Sequence, residues 1–374
     1  MVPNIKNIRL FLVVLFLLNF FIQNELFCLA KGFSGHLHGN LTKNQNSIKK
    51  IKGNTNLREL GRTGLMLSPI GLGCWQFSKQ QNMAGKYWPS LDDQMIEKIT
   101  GLSLEGGINW FDTAEVYGKG ASEKALAKAL LSLGKKPEDV VVATKWWPMF
   151  RGASNISKTI HERISALDPF PVSLYQVHQP WGFSSEKAEM KAMAELVERK
   201  QIKNVGVSNF SAGKMKNAWE VLNKKGIPLA SNQVRYSLLD RRIESNGVMK
   251  MAKELGITII AYSPLAQGLL SGKFHDHPEL LNNTGWRKYT PLFSKRGMEK
   301  SLPVIRLLQE LSGKYNATPS QVALNWLIHF HGETVMAIPG ATKENHVKEN
   351  TCAMQFRLSD EDMVRLDQVS RPFK

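Results

Sequence analysis

Residues 107–145 read GINWFDTAEVYGKGASEKALAKALLSLGKKPEDVVVATK, and the order of elements in this stretch decides the fold. Ile108–Asp112 and Val140–Lys145 have strand character, and Ser122–Leu133 between them has the apolar spacing of an amphipathic helix. Two strands joined through one helix pair in parallel. The alternation continues on both sides, with strands expected at Pro69–Cys74, Ser173–His178, Asn204–Ser208, Leu229–Gln233, Thr258–Tyr262 and Val335–Ile338. Further helices are expected at Asp92–Glu105, Ile156–Leu167, Met190–Lys200, Ser211–Asn223, Gly247–Leu255 and Pro319–Phe330. Eight such strands over about 300 residues predict an α/β fold, a closed (β/α)8 TIM barrel.

A doubly wound sheet is the competing arrangement, and it would carry a Gly-x-Gly-x-x-Gly turn after its first strand. Gly71-Leu-Gly73 begins one, but Gln76 stands where the third glycine belongs. Ahead of that strand, Leu57–Arg62 and Leu65–Ser68 flank Thr63-Gly64 as an N-terminal β-hairpin placed to plug the barrel floor. No Pro- or Gly-rich linker interrupts residues 57–374, so they are expected to form one barrel domain. With 43% hydrophobic and 22% charged residues, wholesale disorder, collagen and coiled coil are excluded. Cys28, Cys74 and Cys352 are too few and too scattered for a disulfide framework or a zinc site.

The net charge of +17 is unevenly spread. Residues 1–56 hold seven basic residues against Glu25 alone, a surplus of six that leaves about +11 for the rest. Residues 10–22, LFLVVLFLLNFFI, follow Lys6 and Arg9 and precede Cys28-Leu29-Ala30, the anatomy of a secretory signal over residues 1–30. Gln23, Asn24 and Glu25 cut the run short of the roughly twenty residues a membrane span needs, although an uncleaved anchor is the alternative. Residues 31–56 contain five lysines and no acid, and they read as a disordered basic transit-like segment. Such a two-part leader resembles those that carry proteins through the secretory pathway into plastid-type organelles; secretion or residence in the endoplasmic reticulum is the alternative. Against a glycosylating compartment stands the acceptor triplet Asn209-Phe-Ser211, where a sugar would obstruct a residue assigned below to the cofactor.

In a barrel of this kind, function sits at the C-terminal ends of the strands. Asp112 ends the second strand and leads into Thr-Ala-Glu-Val-Tyr117-Gly118; Lys145 ends the third and His178 the fourth. A buried tyrosine is too weak an acid to exchange protons easily at neutral pH, and the Lys145 ammonium is expected to lower its pKa. Asp112 would keep Lys145 charged, and His178 would hydrogen-bond the oxygen of a bound carbonyl. The set suits protonation of an oxygen while a nucleophile attacks its carbon.

Seven motifs in register resemble the aldo-keto reductase family across almost all of residues 57–374. They are Phe-Asp112-Thr-Ala-Glu-Val-Tyr117-Gly, Ala-Thr-Lys145, Tyr-Gln-Val-His178-Gln-Pro, Gly206-Val-Ser208-Asn209-Phe, Asn232-Gln233-Val-Arg-Tyr236, Ala-Tyr262-Ser-Pro-Leu and Ile-Pro339-Gly340. The resemblance implies NADPH, with NADH as the alternative, and a catalytic tetrad of Asp112, Tyr117, Lys145 and His178 with Tyr117 as proton donor. It implies that Ser208, Asn209 and Gln233 hold the nicotinamide carboxamide and that Tyr262 stacks on the ring. By the same likeness, Ser263, Leu265, Gly268 and Lys273 line the pyrophosphate loop. Gly340, Thr342, Lys343, His346, Glu349 and Asn350 fall where the adenosine half and its 2′-phosphate are gripped. Many family members carry basic residues where Gly340 and His346 stand here. The Ile-Pro-Gly form resembles the branch with potassium-channel β-subunits and plant plastid members, pyridoxal reductases included, and Lys343 and Arg287 are left to meet a phosphate.

Two function classes follow: a reductase of small carbonyl compounds, or a cofactor-sensing regulatory subunit with little turnover. Trp75 and Trp147 are candidate substrate contacts within a cluster that also holds Trp146 and Trp181, with rim packing as the plain alternative. The pairs His36/His38, His275/His277 and His329/His331 lack a third ligand at metal spacing, so no metal is expected. Absence of a basic run interleaved with aromatics argues against nucleic acid, and no membrane contact is expected once the leader is removed. The insert Phe274–Glu299 is expected to be a substrate loop, and oligomeric state is not legible.

Overall fold

A computed structural model describes residues 57–79 and 90–374; the signal-like and transit-like segments over residues 1–56 lie outside them. Strands β1 (Arg58–Glu59) and β2 (Met66–Leu67) pair antiparallel as the expected hairpin. Eight parallel strands follow in the order of the chain: β3 (Leu72–Gly73), β4 (Trp110–Asp112), β5 (Val141–Trp146), β6 (Leu174–Val177), β7 (Asn204–Ser208), β8 (Leu229–Arg235), β9 (Thr258–Tyr262) and β10 (Val335–Ala337). Parallel bridges Ile70↔Ala337 and Gly73↔Gly340 join the first to the last. There the Gly71 and Gly73 N–H groups donate to the carbonyls of Ala337 and Pro339 at 2.9 and 3.1 Å, closing the barrel.

Helices α1 (Asp93–Glu105), α2 (Ala121–Ser132), α3 (Ser154–Leu167), α4 (Glu186–Glu198), α5 (Ala212–Asn223) and α6 (Val248–Leu255) occupy the successive crossovers. The β9-to-β10 crossover is long and holds a single turn α7 (Lys273–Asp276), then α8 (Lys295–Tyr315) and α9 (Pro319–His329); α10 (Glu344–Cys352) and α11 (Asp360–Ser370) end the chain. Polar residues cap several of these helices: the Asp92, Ser211 and Thr318 side chains accept from the backbone N–H of Met95, Lys214 and Gln321. Gln321 returns a bond to the Thr318 N–H, completing a capping box.

Two apolar layers form, one between strands and helices and a smaller one inside the barrel. The inner layer packs Leu60 and Leu67 of the hairpin against Trp110, Ala143, Leu174, Ala230, Ile260 and Met336, so the hairpin does plug the floor. Arg58 pins it there, donating to the Ile328 and Val335 carbonyls at 2.5 and 2.9 Å. Gly71 is required by close approach, because a Cβ there would stand 2.3 Å from the indole of Trp110. Filling the floor leaves the opposite rim as the place for chemistry. Among the described residues no helix is long and apolar enough to cross a membrane.

Candidate active site

The four residues expected to act together do meet at the C-terminal rim. Lys145, fully buried on β5, donates from Nζ to Asp112 Oδ1 on β4 and to the Thr113 carbonyl at 2.7 Å. Its ammonium lies 5.0 Å from the centre of the Tyr117 ring, which the loop after β4 folds back over it. Directly after β6, His178 sets its ring edge-on to Tyr117, with centroids 5.8 Å apart. Among the described residues its buried Nδ1 has no hydrogen-bond partner. The second oxygen of Asp112 accepts from Gln233 Nε2 at 2.9 Å and Gln176 Nε2 at 3.2 Å, so this carboxylate is held from both sides.

Burial pushes the Tyr117 phenol above its ordinary pKa, and the Lys145 charge only partly offsets this. The expected lowering is therefore corrected in sign: desolvation of the phenolate outweighs one neighbouring cation. For Lys145 burial works against the charge, but Asp112 and Tyr117 overcome it and hold the pKa above its usual value. Burial, then Lys145, push His178 well below the usual imidazole range, so it is neutral at physiological pH. At neutral pH the site thus offers a protonated phenol, an ammonium and a neutral imidazole.

On the neighbouring strands the expected cofactor residues form one network. Asn209, left-handed at φ 60°, turns its amide back to Ser208 Oγ (3.1 Å) and the His178 carbonyl (3.4 Å) and accepts from the Tyr262 hydroxyl at 3.0 Å. Ser208 Oγ donates to the Gln233 carbonyl at 2.8 Å. After β9 the loop bearing Ser263 and Leu265 runs through three consecutive left-handed residues, Ala266, Gln267 and Gly268. Lys273 begins α7 just beyond, and burial, then Arg287 and Lys343, lower its pKa. Crowded like charges of this kind are relieved by an anion, which fits a phosphate-bearing dinucleotide. Asn350 is buried and donates to the Gly340 carbonyl at 3.5 Å, while Glu349, half-buried, has its pKa raised by burial.

Comparison with known proteins accords with this geometry. The model of the "Aldo/keto reductase family" matches residues 69–371. This chain belongs to the aldo/keto reductase family. It is 35% identical to an uncharacterized oxidoreductase of Mycobacterium tuberculosis, covering 82% of this chain and 91% of that protein. It is 31% identical to "Pyridoxal reductase, chloroplastic" of Arabidopsis thaliana, covering 82% of this chain and 84% of the relative. Among solved structures, the glycerol dehydrogenase of Gluconobacter oxydans superposes with a TM-score of 0.74 at 26% identity, covering 86% of this chain and 97% of that one.

Several features of this aldo-keto reductase became legible only in three dimensions. Gly340 lies against the Gln76 carboxamide across the closing seam; a Cβ there would stand 2.3 Å from its nitrogen, so a larger residue would require the Gln76 side chain to move. His346 is no replacement cation: the Thr342 N–H reaches its Nδ1 at 3.4 Å, and burial, then Lys273 and Lys343, keep its pKa low. Trp146 is fully buried and donates to Asn155 Oδ1 at 3.0 Å, which places it in the packing, whereas Trp75 stacks on Tyr117 at 6.0 Å and Trp147 meets His178 edge-on at 5.1 Å. The Phe274–Glu299 insert touches the loop after β9, where Arg287 donates to the Gln267 carbonyl at 2.9 Å. Gln176 and Glu115 went unassigned from sequence. Gln176 lies two residues before His178 and so on the same inward strand face, the period-two signal that would have found it. Glu115, within the Tyr117 motif, accepts from the Trp147 N–H, Arg151 and Arg163 at 2.5, 2.7 and 2.7 Å and ties the loops after β4 and β5 together.

Proposed function

We propose that this aldo-keto reductase reduces aldehydes and ketones to alcohols with NADPH, Tyr117 giving the proton. One observation carries the reading: a phenol held protonated by burial stands over a buried, charge-compensated lysine, beside a neutral histidine whose Nδ1 has no partner among the described residues. The nicotinamide supplies hydride when bound. His178 aims the carbonyl oxygen at the Tyr117 hydroxyl, Tyr117 transfers its proton to that oxygen as negative charge grows, and Lys145 stabilises the phenolate left behind. Asp112 keeps Lys145 charged. Ser208, Asn209 and Gln233 would hold the carboxamide, and Tyr262 the ring face.

Pyridoxal and other small reactive carbonyls are the proposed substrates, in keeping with the chloroplastic relative. Steady NADPH oxidation with an aldehyde panel tests the reading. Tight cofactor binding without turnover of any carbonyl would overturn it in favour of a cofactor-sensing subunit. Preference for NADPH rests on the cations around Lys273. Lys343→Ala is expected to weaken NADPH about tenfold, the loss of about one charge-assisted phosphate contact, and leave NADH affinity unchanged; equal weakening of both would refute the assignment. Residues 1–56 are proposed as an address to a plastid-type organelle. A fluorescent protein carrying them is expected to accumulate there, and secretion would contradict that.

A further inference from the structure

The loops after β5 and β6 form a lip that runs outward from His178. Trp147 packs edge-on against Trp181, with centroids 5.4 Å apart. Beyond it, Gly182 lies so close to Pro148 and the Arg151 carbonyl that a Cβ would stand 3.2 Å from each. The Phe183 N–H donates to the Arg151 carbonyl at 2.9 Å, and the Ala153 N–H donates to Ser184 Oγ at 2.8 Å. At the outer end the rings of Phe150 and Phe183 pair at 6.1 Å while 58% and 75% of each residue stays exposed. Phe150 is moreover left-handed at φ 58°, a conformation that bulky residues avoid. Water-facing aromatic surface disfavours this arrangement unless something covers it, and the strained backbone at Phe150 holds its ring in place for that contact.

We propose that Phe150 and Phe183 form an outer substrate subsite that takes the flat, uncharged, apolar far end of a carbonyl compound, whose reactive end sits at Tyr117 and His178. The inference rests on the reductase reading and adds to the small carbonyls a longer class of substrate with an apolar aromatic tail. Continuity with the site argues for a substrate's own tail: the aromatic edges run from His178 through Trp147 and Trp181 into the loops that carry the pair. Charge argues for an uncharged tail, because Arg151, next to Phe150 in the chain, is already bound to Glu115 at 2.7 Å.

The test compares benzaldehyde with biphenyl-4-carbaldehyde as substrates of the NADPH-loaded full chain. The unsubstituted protein is expected to prefer the two-ring aldehyde in kcat/KM by about tenfold, the scale of burying part of one more ring. The Phe150→Ala/Phe183→Ala variant should lose that preference with benzaldehyde unaffected. Both positions are exposed, so folding is not at risk, and Phe150→Gly, which relieves the backbone, should behave like Phe150→Ala. A preference that is absent from the start, that survives the substitutions, or that falls equally for both aldehydes overturns the subsite. So does a variant that changes only its sedimentation, which would mark the pair as a contact between copies. Should the chain reduce neither aldehyde, the reductase reading fails; calorimetric binding of the two compounds to the unsubstituted protein and to the Phe150→Ala/Phe183→Ala variant then decides the subsite, and equal affinities in both proteins overturn it.

Discussion

Tyr117→Phe is expected to lower kcat for carbonyl reduction by about a thousandfold while the dissociation constant for NADPH moves less than about twofold, the range seen when a positioned general acid is removed. The ring remains to stack on Trp75, 6.0 Å away, so only the proton is lost. A pH profile adds an independent check. A phenol with a raised pKa is protonated at every pH below it, and an imidazole with a lowered pKa is neutral at every pH above it. Reduction by the unsubstituted protein is therefore expected to run flat in kcat from pH 6 to 9. A fall in rate as pH rises through 7 or 8 would mean that the donor is another group.

Lys145→Met is expected to abolish turnover and also to lower stability by about 3–5 kcal/mol, the usual result of stripping one partner from a buried ion pair. Asp112 would keep its bonds to Gln176 and Gln233 but lose the only charge facing Oδ1 among its described partners. Adding Asp112→Asn should return most of that stability, because the orphaned charge goes with it, and should return no activity. Denaturant midpoints and single-turnover rates for the two single variants and the double variant read the two effects separately. Activity regained along with stability would show that the pair serves the fold alone.

Legibility followed physical locality. Strand and helix order came from period and composition, and all eight barrel strands stand where the alternation put them, with ends shifted by at most three residues, as at β3, which starts at Leu72, and β5, which runs on to Trp146. Asp112, Lys145 and His178 were legible because a barrel presents strand ends at one rim, and Tyr117 because its loop leaves Asp112 directly. Gln233 gave half its role: expected as a cofactor contact, it also clamps Asp112. Nothing in one dimension announces that Gln76 and Gly340 share one space across the closing seam.

The sequence by itself determined the barrel, its plug, its family and the four groups at the rim, since each depends on the order of elements or on residues within a few positions of a strand end. Tertiary structure alone decided which way the Tyr117 pKa moves, that Gly340 and Gln76 share one space, how Glu115 joins two loops, and that Phe150 and Phe183 face water side by side. Those outcomes depend on desolvation and on contacts between segments far apart in the chain, and neither is set until the barrel has closed.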